Sequence, residues 1–274
     1  MIELFDTDKK NINRKSSKGN QLKWNRDNIW YKADYTGYEG LSEYVISHLL
    51  MSSSLNKSEY VIYDQEQIKY KSSVFMGVSC KDFLKPGEQL ITLERLFQST
   101  FGTGLNNMIY HIQEHEERLK FITEKTQEIT GIDDFGKYMA KLLTIDAFFL
   151  NEDRHTHNIA VIIGAEGKYH TCPIFDQGAG LLADTAMDYP LNSDVYELMD
   201  SVNAKTFCQN FDEQLEIAEQ LYGTGIHFYF TKNDVNNILK STIGYEPKII
   251  DRVRDIIFEQ MRKYGYLFKE KPLK

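Results

Sequence analysis

Residues 146–182, DAFFLNEDRHTHNIAVIIGAEGKYHTCPIFDQGAGLL, constrain this chain more than any other stretch. An apolar run with helical spacing over residues 139–150 stops at a polar knot, Asn151-Glu152-Asp153-Arg154-His155-Thr156-His157-Asn158. A β-branched run at 159–163 follows, then Gly164-Ala165-Glu166-Gly167, then a second extended run at 169–175. Two such runs flanking a glycine-bounded turn predict a β-hairpin. A hairpin brings the chain back to where it left. Asp176, at the end of the second run, is therefore expected beside Asp153 and Asn158.

Two carboxylates and an amide converging on one point suit a hard cation such as Mg²⁺, which takes oxygen ligands. A loop Asp, an Asn shortly after it and a further Asp beyond a hairpin form the set that phosphoryl-transfer enzymes of the kinase type use. Asp153-Arg154-His155-x-x-Asn158-Ile159, followed by Phe175-Asp176-Gln177-Gly178, resembles the catalytic and metal-binding segments of HipA-like kinases and of phosphoinositide kinases. The layout of the chain also resembles the CtkA-like bacterial serine/threonine kinases. Two departures from ordinary protein kinases point to an atypical member: the order is Asp-Arg-His, and Gln177 follows the metal Asp. Taken singly, each half also fits a capped, solvated loop or a simple turn; the hairpin joining them favours a site.

The resemblance implies a set of roles. Asp153 would orient or deprotonate the acceptor hydroxyl, and His155 would brace the loop or contact the γ-phosphate. Asn158 and Asp176 would hold Mg²⁺. Lys32 sits in an aromatic strand, and Glu43 lies early in the helix that follows, where the dipole favours a carboxylate. In kinases such a pair aims the Lys at the phosphates. Glu39 competes with Glu43 for that role, and an ordinary surface pair is the alternative. Ser16, Ser17, Lys18 and Gly19 form a small-residue turn between strands, fit either to cover ATP phosphates through backbone N–H groups or to be a solvated basic tip. Under the family reading, Ser16 or Ser17 is also open to phosphorylation.

The expected fold is α+β, two-lobed and protein-kinase-like. Residues 1–82 make a small antiparallel β N-lobe with one helix, residues 83–274 a mostly helical C-lobe, and ATP lies between. Strands are expected at 22–24, 29–33, 60–63, 68–70 and 74–78, with a helix at 41–50 and a connection between lobes near 79–84. From residue 91 the chain reads as helical, with helices at 93–97, 105–130, 135–150, 211–221, 232–241 and 248–264.

Composition narrows the partners. A net charge of −8 offers no basic face for nucleic acid and little attraction to an anionic membrane. Three widely spaced cysteines, Cys80, Cys172 and Cys208, make no disulfide framework. No apolar run approaches the length of a membrane span and the start lacks a signal-peptide pattern, so a cytoplasmic protein is expected. Two other constellations compete. His111-Ile112-Gln113-Glu114-His115 matches a zinc-peptidase pattern on a charged helix without an evident third ligand. His155 and His157 would suit a metal hydrolase, but Asp153 and Asn158 are better explained by Mg-ATP. The expected activity is transfer of the ATP γ-phosphate to a Ser/Thr hydroxyl of a protein. A lipid or small-molecule acceptor remains open, as does a catalytically weak ATP-binding module with an antitoxin or regulatory partner.

Overall fold

The computed structural model describes residues 1–9 and 21–271. Five strands form the first sheet: β1 (Ile2–Leu4), β2 (Lys23–Arg26), β3 (Ile29–Ala33), β4 (Asp64–Tyr70) and β5 (Ser73–Lys81). Their order is β1-β4-β5-β3-β2. Asp27 and Asn28 join β2 to β3 with φ of 54° and 60°. A tight hairpin needs two left-handed residues there, and Asp and Asn tolerate that region best after Gly. The sheet is antiparallel from β4 to β2, whereas β1 joins β4 in parallel at the edge. That edge departs from an all-antiparallel expectation because β1 reaches β4 from a distant part of the chain, not through a tight turn.

The strand expected at 60–63 is not regular. Tyr60 makes one parallel bridge to Ile174. The Val61 N–H donates to the Ile174 carbonyl at 3.0 Å, and the Ile174 N–H to the Glu59 carbonyl at 2.8 Å. This stretch therefore pairs with the approach to Asp176 instead of extending the first sheet. Helix α1 (Glu39–Leu50) lies against β5, and two glycines allow the approach. A Cβ on Gly77 would sit 2.1 Å from the Lys32 carbonyl oxygen, and one on Gly40 would sit 2.8 Å from the Gly77 Cα.

A second sheet contains β6 (Gln89–Thr92), β7 (Ala160–Ile163) and β8 (Tyr169–Thr171) in that order. β7 and β8 are the expected hairpin, in register from Val161 opposite Thr171 to Ile163 opposite Tyr169. β6 was hidden by the helical reading of residues beyond 91. Leu90 and Ile91 pair with Ile162 and Val161, and helix α2 (Leu93–Phe101) begins only behind Thr92. The Thr92 hydroxyl accepts the Arg95 N–H at 3.4 Å, the geometry of an N-cap.

The remaining helices are α3 (Leu105–Tyr110), α4 (His115–Thr130), α5 (Phe135–Phe149), α6 (Val195–Ser201), α7 (Phe211–Tyr222), α8 (Lys232–Lys240) and α9 (Pro247–Lys263). The single helix expected over 105–130 is two, parted where Glu114 turns extended. α6 went unread although Asp194 caps it, accepting the N–H groups of Tyr196 and Glu197. α5 is the axis of the helical part. Met139, Leu142, Ile145, Phe148 and Phe149 along it are all buried. A helix apolar on every side belongs inside a protein, and each large side chain so buried contributes roughly 2–3 kcal/mol. Phe148 packs against Phe149, Phe228 and Phe230 at its end. The loop with the polar knot thus springs from the most firmly held element. Among the described residues no helix is long and apolar enough to cross a membrane.

Candidate active site

Leu150 closes α5 in the left-handed region, φ 54°, and turns the chain sharply into the polar knot. Asp146, in the last turn of α5, meets the buried Arg154 at 3.0 Å. Burial pushes the Asp146 carboxyl above its ordinary value against the pull of Arg154. The rest of the Arg154 guanidinium donates to backbone carbonyls of Asn158 at 3.0 Å, Phe175 at 2.9 Å and Asp176 at 3.4 Å. One buried cation therefore fastens the loop after α5 to the segment after β8. Asn151 reinforces the join, donating to Asp146 at 2.9 Å and to the Gln177 side chain at 3.1 Å. Arg154 was read only as part of the Asp-Arg-His motif and Asp146 and Asn151 were given no role, because a buried Asp–Arg pair looks like any surface pair until its burial is known.

Asp153 and Asp176 come together as the hairpin requires: both line one open cleft, with Glu39 and Asp184. Asn158 lies beside Asp153, its Nδ2 donating to the Asp153 carbonyl at 2.8 Å and to Oδ2 at 3.3 Å. With the amide nitrogen so used, Oδ1 is the Asn158 atom suited to a hard cation. The His155 Nε2 is 3.8 Å from Asp153 Oδ1. Burial lowers the His155 pKa and outweighs the opposing pull of Asp153.

Asp176 has φ 63°, in the left-handed region that Asp adopts more readily than most residues. Its Oδ1 is 2.8 Å from the Lys32 Nζ and 3.9 Å from the Lys23 Nζ. Burial by itself would raise the Asp176 carboxyl, but Lys23, Lys32 and Arg154 hold it well below the usual carboxylate range. Lys32 in turn is 2.5 Å from Glu43 Oε1, while Glu43 Oε2 accepts the Gln177 N–H at 3.1 Å. Burial disfavours the Lys32 ammonium, yet Asp176 and Glu43 more than restore it and raise its pKa well above the ordinary value. Glu43, not Glu39, is thus the partner of Lys32. Glu39 instead accepts the backbone N–H groups of Tyr35, Thr36 and Gly37 ahead of α1. Ser16, Ser17, Lys18 and Gly19 lie outside the described residues.

The rival metal constellations do not assemble. His111 caps the end of α3 and His115 opens α4, so they do not share a helix face. His115 instead pairs with Glu213 at 2.5 Å. Among the described residues the histidine, cysteine and carboxylate atoms that cluster closely are those of His115, Cys208 and Glu213, not of His155 and His157. A second, open depression, bordered by Asp212, Glu216, Glu219 and Lys263, lies on α7 and α9 and includes none of the site residues.

No protein-family model matches the chain. No curated protein matches it by sequence. Among solved structures it is similar to the Helicobacter pylori proinflammatory kinase CtkA. The identity is 17%, the match covers 97% of this chain and 95% of that one, and the TM-score is 0.59. It is also similar to a Shewanella oneidensis HipA–HipB toxin–antitoxin complex with operator DNA, at 11% identity over 91% of this chain and 62% of that one, with a TM-score of 0.45. The mixed α+β architecture, with its five-stranded sheet and helices, is therefore similar to the fold of the CtkA kinase.

Proposed function

We propose that this protein is an ATP-dependent kinase that transfers the γ-phosphate to a serine or threonine hydroxyl of a protein. The observation that carries the reading is the convergence of Asp153 and Asp176 on one cleft, with the Lys32–Glu43 pair directly behind Asp176. The donors fit the group: a carboxylate oxygen of Asp176 and the Asn158 amide oxygen are the hard ligands that Mg²⁺ takes. Asn158 and Asp176 would hold that ion, which when bound neutralises charge on the β- and γ-phosphates. Nucleotide would lie between residues 1–82 and the remainder of the chain.

Within this reading the protein's own groups have distinct tasks. Asp153 accepts the proton of the acceptor hydroxyl as that oxygen bonds to the γ-phosphorus and the electron pair of the broken phosphorus–oxygen bond leaves with ADP. Lys32, steadied by Glu43, draws the α- and β-phosphates inward. His155, 3.8 Å from Asp153, braces the loop that carries it. Gln21 and Lys23 line the cleft. Such catalysis is positioning and electrostatics, so small losses of geometry are costly.

The test is transfer of labelled γ-phosphate from Mg-ATP to added proteins, beside an Asp153→Asn variant. The variant is expected to bind Mg-ATP nearly as tightly as the wild type while losing transfer by at least about a hundredfold. Full transfer by Asp153→Asn would remove the base assignment. Nucleotide binding without any transfer by the wild type would favour a binding module over an enzyme.

A further inference from the structure

β2 and β3 pair so that Lys23 stands directly opposite Lys32. Residues directly opposite in an antiparallel pair project to the same face, and like charges placed so destabilise the sheet. The two lysines are not equivalent. Lys32 is 11% exposed and fully engaged, at 2.5 Å from Glu43 and 2.8 Å from Asp176. Lys23 is 21% exposed, and its ammonium is 3.9 Å from Asp176 Oδ1, beyond hydrogen-bond reach. Lys23, and not Lys32, lines the open cleft beside Asp153. Arg154 cannot take that place, since its guanidinium is buried against Asp146 and three carbonyls.

Resting on the kinase reading, we propose that Lys23 is the cation that contacts the terminal phosphate of a nucleoside triphosphate at the transfer end of the cleft. Lys32 then serves the inner phosphates from behind Asp176. During transfer, charge spreads over the equatorial oxygens of the moving phosphoryl group. A fixed ammonium beside Asp153 stabilises that charge where it develops. Lys23 was not singled out in sequence because a lysine beside the buried Trp24 reads as an ordinary strand lysine with its head in water.

The experiment measures dissociation constants for Mg-ATP and Mg-ADP, together with kcat and KM for transfer, on the wild type, Lys23→Met and Lys23→Arg. One lost charge-assisted contact to the terminal phosphate corresponds to about tenfold to hundredfold weaker Mg-ATP binding. Mg-ADP binding is expected to change much less, kcat to fall, and Lys23→Arg to recover most of both. If Lys23→Met does not fold, Lys23→Gln is read in its place. Equal weakening of Mg-ATP and Mg-ADP, or no weakening of either, overturns the assignment of Lys23 while leaving the kinase reading intact. A wild type that binds neither nucleotide overturns the kinase reading, and the Lys23 assignment with it.

Discussion

Replacing Asp146 by Asn tests whether one buried ion pair holds the two halves of the site in register. Arg154 is 1% exposed and keeps its charge at any working pH. Its Nε lies 3.0 Å from Asp146 Oδ2, and its Nη2 lies 3.2 Å from Oδ1. Asp146→Asn keeps the shape but removes the carboxylate in direct contact with the buried guanidinium, leaving only the Asp176 charge farther off. Breaking one side of such a pair costs about 3–5 kcal/mol. The three backbone carbonyls that Arg154 retains should hold the loss near the lower end, about 3 kcal/mol. Urea unfolding followed by tryptophan fluorescence measures it, with Arg154→Leu and the double variant completing a cycle. A coupling energy on the order of 2 kcal/mol or more is expected, because the two side chains touch. An Asp146→Asn loss below about 1 kcal/mol, the range of an exposed pair, or additive single losses, would mean that the pair does not hold the two segments together.

Other expectations concern the pair behind Asp176 and the start of α1. Glu43→Gln removes the charge that steadies Lys32 and should lower transfer by about tenfold or more, read from initial rates. Glu39→Gln should instead show itself in the unfolding midpoint, by about 1 kcal/mol, since Glu39 accepts backbone N–H groups ahead of the helix. Asp34 is pushed up from 3.8 to about 7, mainly by burial. The folded state therefore holds a proton that the unfolded state has released between those values. That contribution to stability is complete below about 3.8 and lost as pH rises towards 7. Asp34→Asn should flatten the fall in stability between pH 5 and pH 8, as measured by urea unfolding across that range; an unchanged slope would contradict the assignment. Gly77→Ala should destabilise the N-terminal sheet strongly, because its Cβ would press on the Lys32 carbonyl at 2.1 Å, and thermal melting reads the loss directly.

The hairpin was legible because its signals are local: β-branched runs, a glycine-bounded turn and an aspartate at each end. So were α1, α5 and the last three helices, whose apolar spacing matches a single buried face or a wholly buried axis. β6 was missed because Leu90 and Ile91 become a strand only through pairing with β7, a partner roughly seventy residues away. The break between α3 and α4 carries no Gly or Pro, so nothing in the local chain announces it. In the site, Lys32, Glu43, Asp153, Asn158 and Asp176 were nominated from motif chemistry. Asp146 and Arg154 were not, since what distinguishes them is burial, and Lys23 was not, since what distinguishes it is register.

Intact-mass measurement after incubation with Mg-ATP, on the wild type beside Asp176→Asn, decides whether Asp176 serves magnesium-dependent transfer. The wild type is expected to gain phosphate on itself or on an added protein only when Mg²⁺ is supplied, and Asp176→Asn to gain none. Phosphate transfer of equal extent by Asp176→Asn, or by the wild type with Mg²⁺ removed, would contradict that role.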